Sequence, residues 1–305
     1  MGKIYKALEK KRSESLGFLP DSEDRSAAET LHESHGVKTD EVKTDAFKTD
    51  RVNNERVNTV QIETDAEPDY DAAPEYIDST LVTLAAPRSL EAEQFRLLKN
   101  NILFPENGSP PRSIMVTSPS PEEGKSFVAA NLAVSIAQSI DEHVLLMDCD
   151  LRKSTLHELF GLHVKYGLSD YLATGRTLSS VLKKTHIDKL TILPGGKIPH
   201  NPSELLSSEQ MRRLMNEVKQ RYSDRYIIID TPPPYITSEG NALVRNVDGI
   251  ILVIRNGKTR KKDVEDVIKL YGREKILGVV YNFAEKSPGY GYGYQKYGYG
   301  YGYGK

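Results

Sequence analysis

Tryptophan is absent from the 305-residue chain, cysteine occurs once and phenylalanine only seven times. A single thiol excludes a disulfide framework and any cysteine-based metal cluster. The seven histidines show no paired spacing that suggests a metal site. No stretch approaches 18 consecutive apolar residues, so no membrane-spanning helix is expected. The start, Met1-Gly2-Lys3-Ile4-Tyr5-Lys6, has no apolar core ahead of a small-residue cleavage site, and no secretory leader is expected. An excess of one charge sign is missing too. Lys+Arg is 41 and Asp+Glu is 43, and the net −2 excludes polyanion binding by the chain as a whole. These absences describe a soluble cytoplasmic protein of one large domain or two small ones. What the chain has in surplus is tyrosine: 17 in all, seven of them in the last 16 residues.

The balanced charge hides an asymmetry. Residues 1–85 carry 11 Lys+Arg and 19 Asp+Glu, a net of −8, while residues 86–305 carry 30 and 24, a net of +6. The first segment is poor in large apolar residues, too poor to offset its ordering entropy by burial, and disorder is expected there. Within it a five-residue unit recurs: Val37-Lys38-Thr39-Asp40, Val42-Lys43-Thr44-Asp45, Phe47-Lys48-Thr49-Asp50. That period fits neither a strand nor a helix face and is too short for a solenoid, so it reads as a low-complexity spacer. Ile4, Ala7 and Leu8 share one helical face, which makes the first dozen residues either a frayed terminus or a docking helix that folds on a partner. The expected organisation is an acidic arm over 1–79, a globular domain over 80–286 and a Tyr/Gly-rich tail over 287–305.

From about residue 80 the pattern is that of an α/β domain. Short β-rich runs at 113–117, 144–148, 190–193, 226–230, 249–254 and 276–281 alternate with helical stretches at 125–140, 208–222, 239–246 and 258–271. Ser89 is the expected cap of an earlier helix ending near Ile102. Near-continuously apolar strands alternating with helices predict a parallel sheet covered on both faces.

Ile114 to Ser126 carries the most chemistry. A buried strand runs into a turn, then Gly124-Lys125-Ser126, then a helix. Loop N–H groups and the helix N-terminus face phosphate oxygens in such an arrangement. Lys125 supplies a point charge near the β/γ-phosphates, and the Ser126 hydroxyl can ligate Mg²⁺. The G-x-x-x-x-G-K-[ST] pattern is incomplete, because Pro119 occupies its first position. Two more strands end in carboxylates: Val144 to Asp148, followed by Cys149 and Asp150, and Tyr226 to Asp230. Ligands of open α/β sheets sit outside the carboxyl ends of the strands, so the three elements converge on one edge. Asp residues there can hold Mg²⁺ directly or through water. Cys149, between two aspartates, reads as a small buried residue, because nearby carboxylates raise rather than lower a thiol pKa.

On these residues the chain resembles the bacterial tyrosine kinases (BY-kinases) of capsule and exopolysaccharide loci, with a deviant P-loop fold. Thr117–Ser126, Leu145–Lys153 and Ile228–Pro233 are similar to the three Walker motifs of that family. Asn201-Pro202-Ser203-Glu204-Leu205-Leu206 and the Tyr-rich end resemble further family segments, and Glu93, Arg96 and Lys99 resemble its E-x-x-R-x-x-R subunit-contact motif, with Lys in the last place. The resemblance covers about residues 80–305. It implies ATP and Mg²⁺ as cofactors; nucleotide binding by Glu123, Gly124, Lys125, Ser126 and Phe127; metal contacts from Ser126, Asp148 and Asp230; and catalytic roles for Lys125, Asp148, Asp150 and Asp230, with Asp148 as base. It implies oligomer contacts through Glu93, Arg96 and Lys99. It also implies phosphoacceptors at Tyr290, Tyr292, Tyr294, Tyr297, Tyr299, Tyr301 and Tyr303, a separate membrane-bound polysaccharide co-polymerase as partner, and a place on the inner face of the membrane through that partner. Family members often read P-G-E-G-K-[ST], where this chain has Pro121-Glu122-Glu123-Gly124-Lys125-Ser126. Glu122 is expected to point outward, away from phosphate.

The tail's tyrosines are separated mostly by Gly, which weakens strands, so a flexible acceptor segment is expected. Sixteen residues span roughly 50–58 Å when extended and about 20–24 Å as a coil, enough to enter an active site. Each phosphotyrosine adds about −1.5 to −2 charges, against only Lys296 and Lys305 in the tail. Phosphorylation is therefore expected to drive tails apart and release a ring of subunits. Two alternatives stand beside the kinase. One is a Par- or Min-like ATPase switch, although the second signature lysine of those proteins is Ser120 here. The other is a non-catalytic ATP-binding scaffold.

Overall fold

A computed structural model describes residues 78–284, apart from 222–224 and 236–238. The arm with its five-residue unit, the N-terminal helical face and the tyrosine tail lie outside the described residues.

Seven strands form one sheet: β1 (Ser113–Thr117), β2 (His143–Asp148), β3 (Lys183–Lys184), β4 (Leu190–Leu193), β5 (Arg225–Asp230), β6 (Gly249–Arg255) and β7 (Ile276–Asn282), in the order β3-β4-β2-β5-β1-β6-β7. Every pairing is parallel except β3 with β4. The expected parallel sheet is present, and its six long strands fall within a residue or so of the expected runs.

Alternation along each strand assigns its side chains to two cores. Ile114, Val116, Val144, Leu146, Ile228, Ile251 and Val253 face one side, where they meet the helix Lys125–Ala137. Met115, Leu145, Met147, Ile227, Ile229, Ile250 and Leu252 face the other, against Met211, Leu214, Met215 and Val218 of the helix Glu209–Arg221 and Val267 and Tyr271 of the helix Lys261–Tyr271. Because both faces are covered, the strands carry no polar face, which is why they read as continuous apolar runs. Residues Val128 to Ala137 are all buried. The helix Leu90–Leu103 packs against this helix, with Phe95 and Phe127 meeting edge to face at 5.6 Å between centroids. Ser89 caps that outer helix, its hydroxyl accepting from the Ala92 N–H at 3.1 Å. Cys149 is buried and unoxidised, as expected.

The differences from expectation are local. Antiparallel β3 has only two residues, too few to show a period. Short helices at Leu156–Leu159, Leu168–Thr174, Leu178–Val181 and Pro202–Leu206 are likewise below the length at which amphipathicity is legible. The last helix begins at Lys261 rather than 258, because Arg260 is its extended cap at φ −76°, ψ 143°. The expected 239–246 helix divides into an α-turn, Glu239–Leu243, and a 3₁₀ turn, Val244–Asn246.

Candidate active site

The loop from β1 to the helix Lys125–Ala137 is held by its own side chains. Glu123 is 2% exposed and turned inward. Its carboxylate accepts from the Ser120 N–H at 3.1 Å and from the Thr259 hydroxyl, and its carbonyl accepts from Asn282 Nδ2 at 3.0 Å. Burial pushes its pKa above the ordinary glutamate value. The Glu123 side chain therefore braces the loop against the turn after β6, while its carbonyl is held by Asn282 at the end of β7. Glu122 is exposed, as expected, and its backbone has φ 59°, a left-handed conformation costly for any residue with a Cβ. Gly124 is also left-handed, at φ 85°, and a Cβ there would stand 2.0 Å from Asn282 Nδ2. Glycine is obligatory at 124 on both counts.

The helix then presents Lys125 and Ser126. The Lys125 ammonium pairs with Asp150 Oδ2 at 3.0 Å. Burial works against its charge, but the Asp230 and Asp150 carboxylates outweigh that and hold the ammonium above the ordinary lysine range. The Ser126 hydroxyl donates to Asp230 Oδ2. Asp148 and Asp230 are each 1% exposed, and they are register partners on β2 and β5. Burial, reinforced by Asp230, pushes Asp148 up to about 7. Asp230 is also raised, by burial, with Lys125 and the Ser126 hydroxyl acting against the rise.

The expected cluster of Lys125, Ser126, Asp148, Asp150 and Asp230 is thus assembled at the carboxyl edge of the sheet. Phe127 is placed differently: its side chain packs toward the core against Phe95. Glu93, Arg96 and Lys99 lie along the helix Leu90–Leu103, where Arg96 pairs with Glu93 and donates to the Pro87 carbonyl.

Four contributors to the site carry no sequence motif. The Ser154 hydroxyl donates to Asp148 Oδ2 at 2.8 Å and accepts from the Gly195 N–H at 3.1 Å, so it ties the second carboxylate strand to the loop after β4. At the other end of the site, Asn282 fills the space above Gly124. The next residue, Phe283, is exposed at φ 54°, and the Arg255 guanidinium lies 4.4 Å over its ring. Arg255, Asn282 and Phe283 were invisible because β6 and β7 come to the loop only through the sheet order.

Among the described residues no three His, Cys, Asp or Glu side chains are grouped closely enough to cage a metal by themselves. Mg²⁺ does not need such a cage: it favours one or two carboxylates, retained waters and substrate phosphates. Asp230 Oδ1 is buried with no hydrogen-bond partner, and Asp230 Oδ2 already touches the Ser126 hydroxyl. An unsatisfied buried carboxylate oxygen beside a hydroxyl fits a hard cation.

A doubly covered parallel sheet with a lysine–serine loop and carboxylates at adjacent strand ends defines a P-loop nucleotide-binding α/β domain. Comparison with known proteins agrees: the AAA domain family matches residues 116–272. Tyrosine-protein kinase YwqD of Bacillus subtilis (strain 168) is 37% identical over 204 residues, 66% of this chain and 85% of YwqD. Tyrosine-protein kinase wzc of Salmonella typhimurium is 35% identical over 218 residues, 70% of this chain but only 30% of wzc. The crystal structure of the chimerical protein CapA2B2 superposes with a TM-score of 0.63 at 34% identity, covering 70% of this chain and 95% of that one. The chain belongs to the bacterial tyrosine kinases. Among the described residues no helix is long and apolar enough to cross a membrane.

Proposed function

We propose that this protein is an ATP- and Mg²⁺-dependent protein-tyrosine kinase that phosphorylates the tyrosine cluster at its own C-terminus. The observation that carries the reading is the gathering of Lys125, Ser126, Asp148, Asp150 and Asp230 at one sheet edge in a chain with seven tyrosines between 290 and 303. Loop N–H groups and Lys125 bind the phosphates of ATP. Ser126 and Asp230 would hold Mg²⁺, which would neutralise charge on the phosphate oxygens. Asp150 keeps Lys125 charged and in place. The purine base lies toward Phe283 and Arg255, an exposed cation–ring stack beside the phosphate loop.

The reaction joins a tyrosine Oη to the γ-phosphorus and breaks the bond from that phosphorus to the β,γ-bridging oxygen, releasing ADP. The phenolic proton passes to Asp148. A free phenol has a pKa near about 10, and a carboxylate raised to about 7 is matched to accept its proton near neutral pH. Positioning and charge neutralisation supply most of the rate in phosphoryl transfer.

YwqD and wzc are named as tyrosine kinases. We assign this chain to the control of exopolysaccharide or capsule synthesis or export, with a membrane-bound co-polymerase as partner and a ring of copies, joined through Glu93, Arg96 and Lys99, as the working assembly. Incubation with γ-labelled ATP tests the catalytic reading. Label on tyrosines 290–303 that is lost in Lys125→Ala supports it. Phosphate release without protein label means an ATPase switch instead, and neither signal in the presence of the membrane partner means a non-catalytic scaffold.

A further inference from the structure

Tyr166, just before the helix Leu168–Thr174, is surrounded by cations. The Arg176 guanidinium carbon is 3.5 Å from its ring centroid, the Lys165 ammonium 5.4 Å and the Lys197 ammonium 5.6 Å. All three basic side chains are exposed, and none pairs with a carboxylate among the described residues. The nearby Asp170 carboxylate is committed to backbone, accepting from the N–H groups of Gly167 at 2.9 Å and Lys197 at 3.5 Å. The ring quadrupole draws each cation in, and with no carboxylate paired to them the three leave a local positive excess around Tyr166.

This cluster adjoins the active site through the loop after β4. Lys197 is two residues from Gly195, so the two Cα atoms are at most about 7.6 Å apart. The Gly195 N–H donates to Ser154, which in turn donates to Asp148. The same loop is clamped to the helix Leu168–Thr174 through Ser169, whose N–H donates to the Gly195 carbonyl at 2.9 Å and whose hydroxyl donates to the Lys197 carbonyl at 2.6 Å.

We propose that Lys165, Arg176 and Lys197, arranged around Tyr166, form a docking site for phosphotyrosine in the C-terminal segment of this same kind of chain. The inference rests on the kinase reading, because that activity supplies the phosphate. Charge complementarity is the first argument. A phosphate concentrates about −1.5 to −2 charges on one group, and the three exposed cations around Tyr166 supply the opposite charge. The planar guanidinium of Arg176 can pair two phosphate oxygens or stack on the incoming phenyl ring. The acidic arm is the other source of negative charge, but its 19 carboxylates are spread over 85 residues.

Topology supplies the second argument. The C-terminal segment leaves the sheet at Asn282, the carboxyl end of β7, which is the same edge as the Asp148 end of β2 because β7, β6, β1, β5 and β2 are all parallel. Five strand spacings separate β7 from β4, the strand that leads into Lys197, about 24 Å. Tyr290 is eight residues beyond Asn282, a reach of up to about 26–29 Å. Tyr290 meets that separation only when the segment is nearly extended, and the later tyrosines, as far as Tyr303, have chain to spare. A first phosphate held there keeps the remaining tyrosines beside Asp148. Three cations balance about two phosphotyrosines, and further phosphates exceed what the cluster can hold.

The test uses the full-length, phosphatase-treated chain without nucleotide and a fluorescent synthetic peptide of residues 287–305, unmodified or phosphorylated at Tyr290 and Tyr292. Anisotropy should show the phosphopeptide binding at least tenfold tighter than the unmodified one. The combined Arg176→Ala and Lys197→Ala substitutions, at exposed positions, should weaken it at least tenfold while Tm stays unchanged. Equal affinity for the two peptides, or unchanged affinity in the double variant, overturns the proposal. Competition by a peptide of residues 1–77 as strong as that of the phosphopeptide assigns the cluster to the acidic arm and also overturns it. Because the phosphates are installed by synthesis, failure here leaves the labelled-ATP result standing, and failure of the labelling test leaves this binding result readable.

Discussion

Asp148 and Asp230 stand opposite each other in register on the adjacent parallel strands β2 and β5, both almost fully buried. Side chains in register on neighbouring parallel strands share a face about 4.8 Å apart, so each carboxylate disfavours ionisation of the other. Lys125 and Ser126 bear on the Asp230 side of the pair and Ser154 on the Asp148 side. The asymmetry leaves Asp148 as the member whose proton is exchanged near neutrality.

A pH dependence follows. Single-turnover labelling of the tail should rise with pH to about 7 and level off above it, as Asp148 loses its proton. Asp148→Asn should remove that limb and lower the rate by about 10²–10⁴. The effect on stability has the opposite sense. Both carboxyls have folded pKa values above their unfolded value, so their contribution is complete below about pH 4 and is lost as pH rises through about 7. The nucleotide-free chain should lose Tm between pH 5 and 8, with a flatter slope in the Asp148→Asn, Asp230→Asn double variant.

The left-handed backbone of Glu122 predicts a stabilising substitution. A Cβ in that conformation costs about 1–2 kcal/mol, while glycine returns about 0.4–1 kcal/mol through the freer unfolded chain. Glu122→Gly should therefore raise Tm by about 1–4 °C, and Glu122→Ala should not. Thermal scanning of the three proteins decides it.

Gly124→Ala places a methyl 2.0 Å from Asn282 Nδ2 at a φ of 85°. Binding of a fluorescent ADP analogue should fall at least tenfold. Asn282→Ala in the same chain relieves the clash but not the backbone strain, so recovery should be partial.

Ser154→Ala deletes a hydrogen bond to a carboxylate, worth about 1.5–3 kcal/mol, and frees the loop at Gly195. The labelling rate should fall about tenfold or more, nucleotide affinity should stay within about twofold, and the acid limb should move to higher pH. An unchanged limb with weaker nucleotide binding would place Ser154 at the phosphates instead.

Phe283→Ala removes the exposed ring beneath Arg255. If the base lies there, the Kd for ADP should rise about five- to tenfold, in line with about 1 kcal/mol for a lost ring contact. The Kd for inorganic triphosphate, measured by competition, should not change.

The six long strands were legible because residues buried on both faces must be apolar throughout, and Lys125, Ser126, Asp148, Asp150 and Asp230 because strand ends and the Gly-Lys-Ser turn announce themselves locally. The resemblance assigns Glu123 and Phe127 to the nucleotide, and in the fold the side chain of one braces the loop and that of the other packs toward the core. Neighbourhood along the chain does not say which way a side chain turns. Ser154 lay within reach of sequence reasoning, six residues after Asp148, but nothing local distinguishes a serine that holds a carboxylate from one in solvent.

By itself, the sequence determined the α/β class, the phosphate loop, the carboxylate-tipped strands and the tyrosine-rich end, because each is written in a contiguous run of residues with its own periodicity or spacing. Only the tertiary structure decided that β5 separates β2 from β1, that Asn282 and Phe283 close over Gly124, and that Lys165, Arg176 and Lys197 meet around Tyr166. Those relations join residues up to 159 positions apart, as between Glu123 and Asn282, and they are fixed by the order in which parallel strands stack. No local pattern records that order.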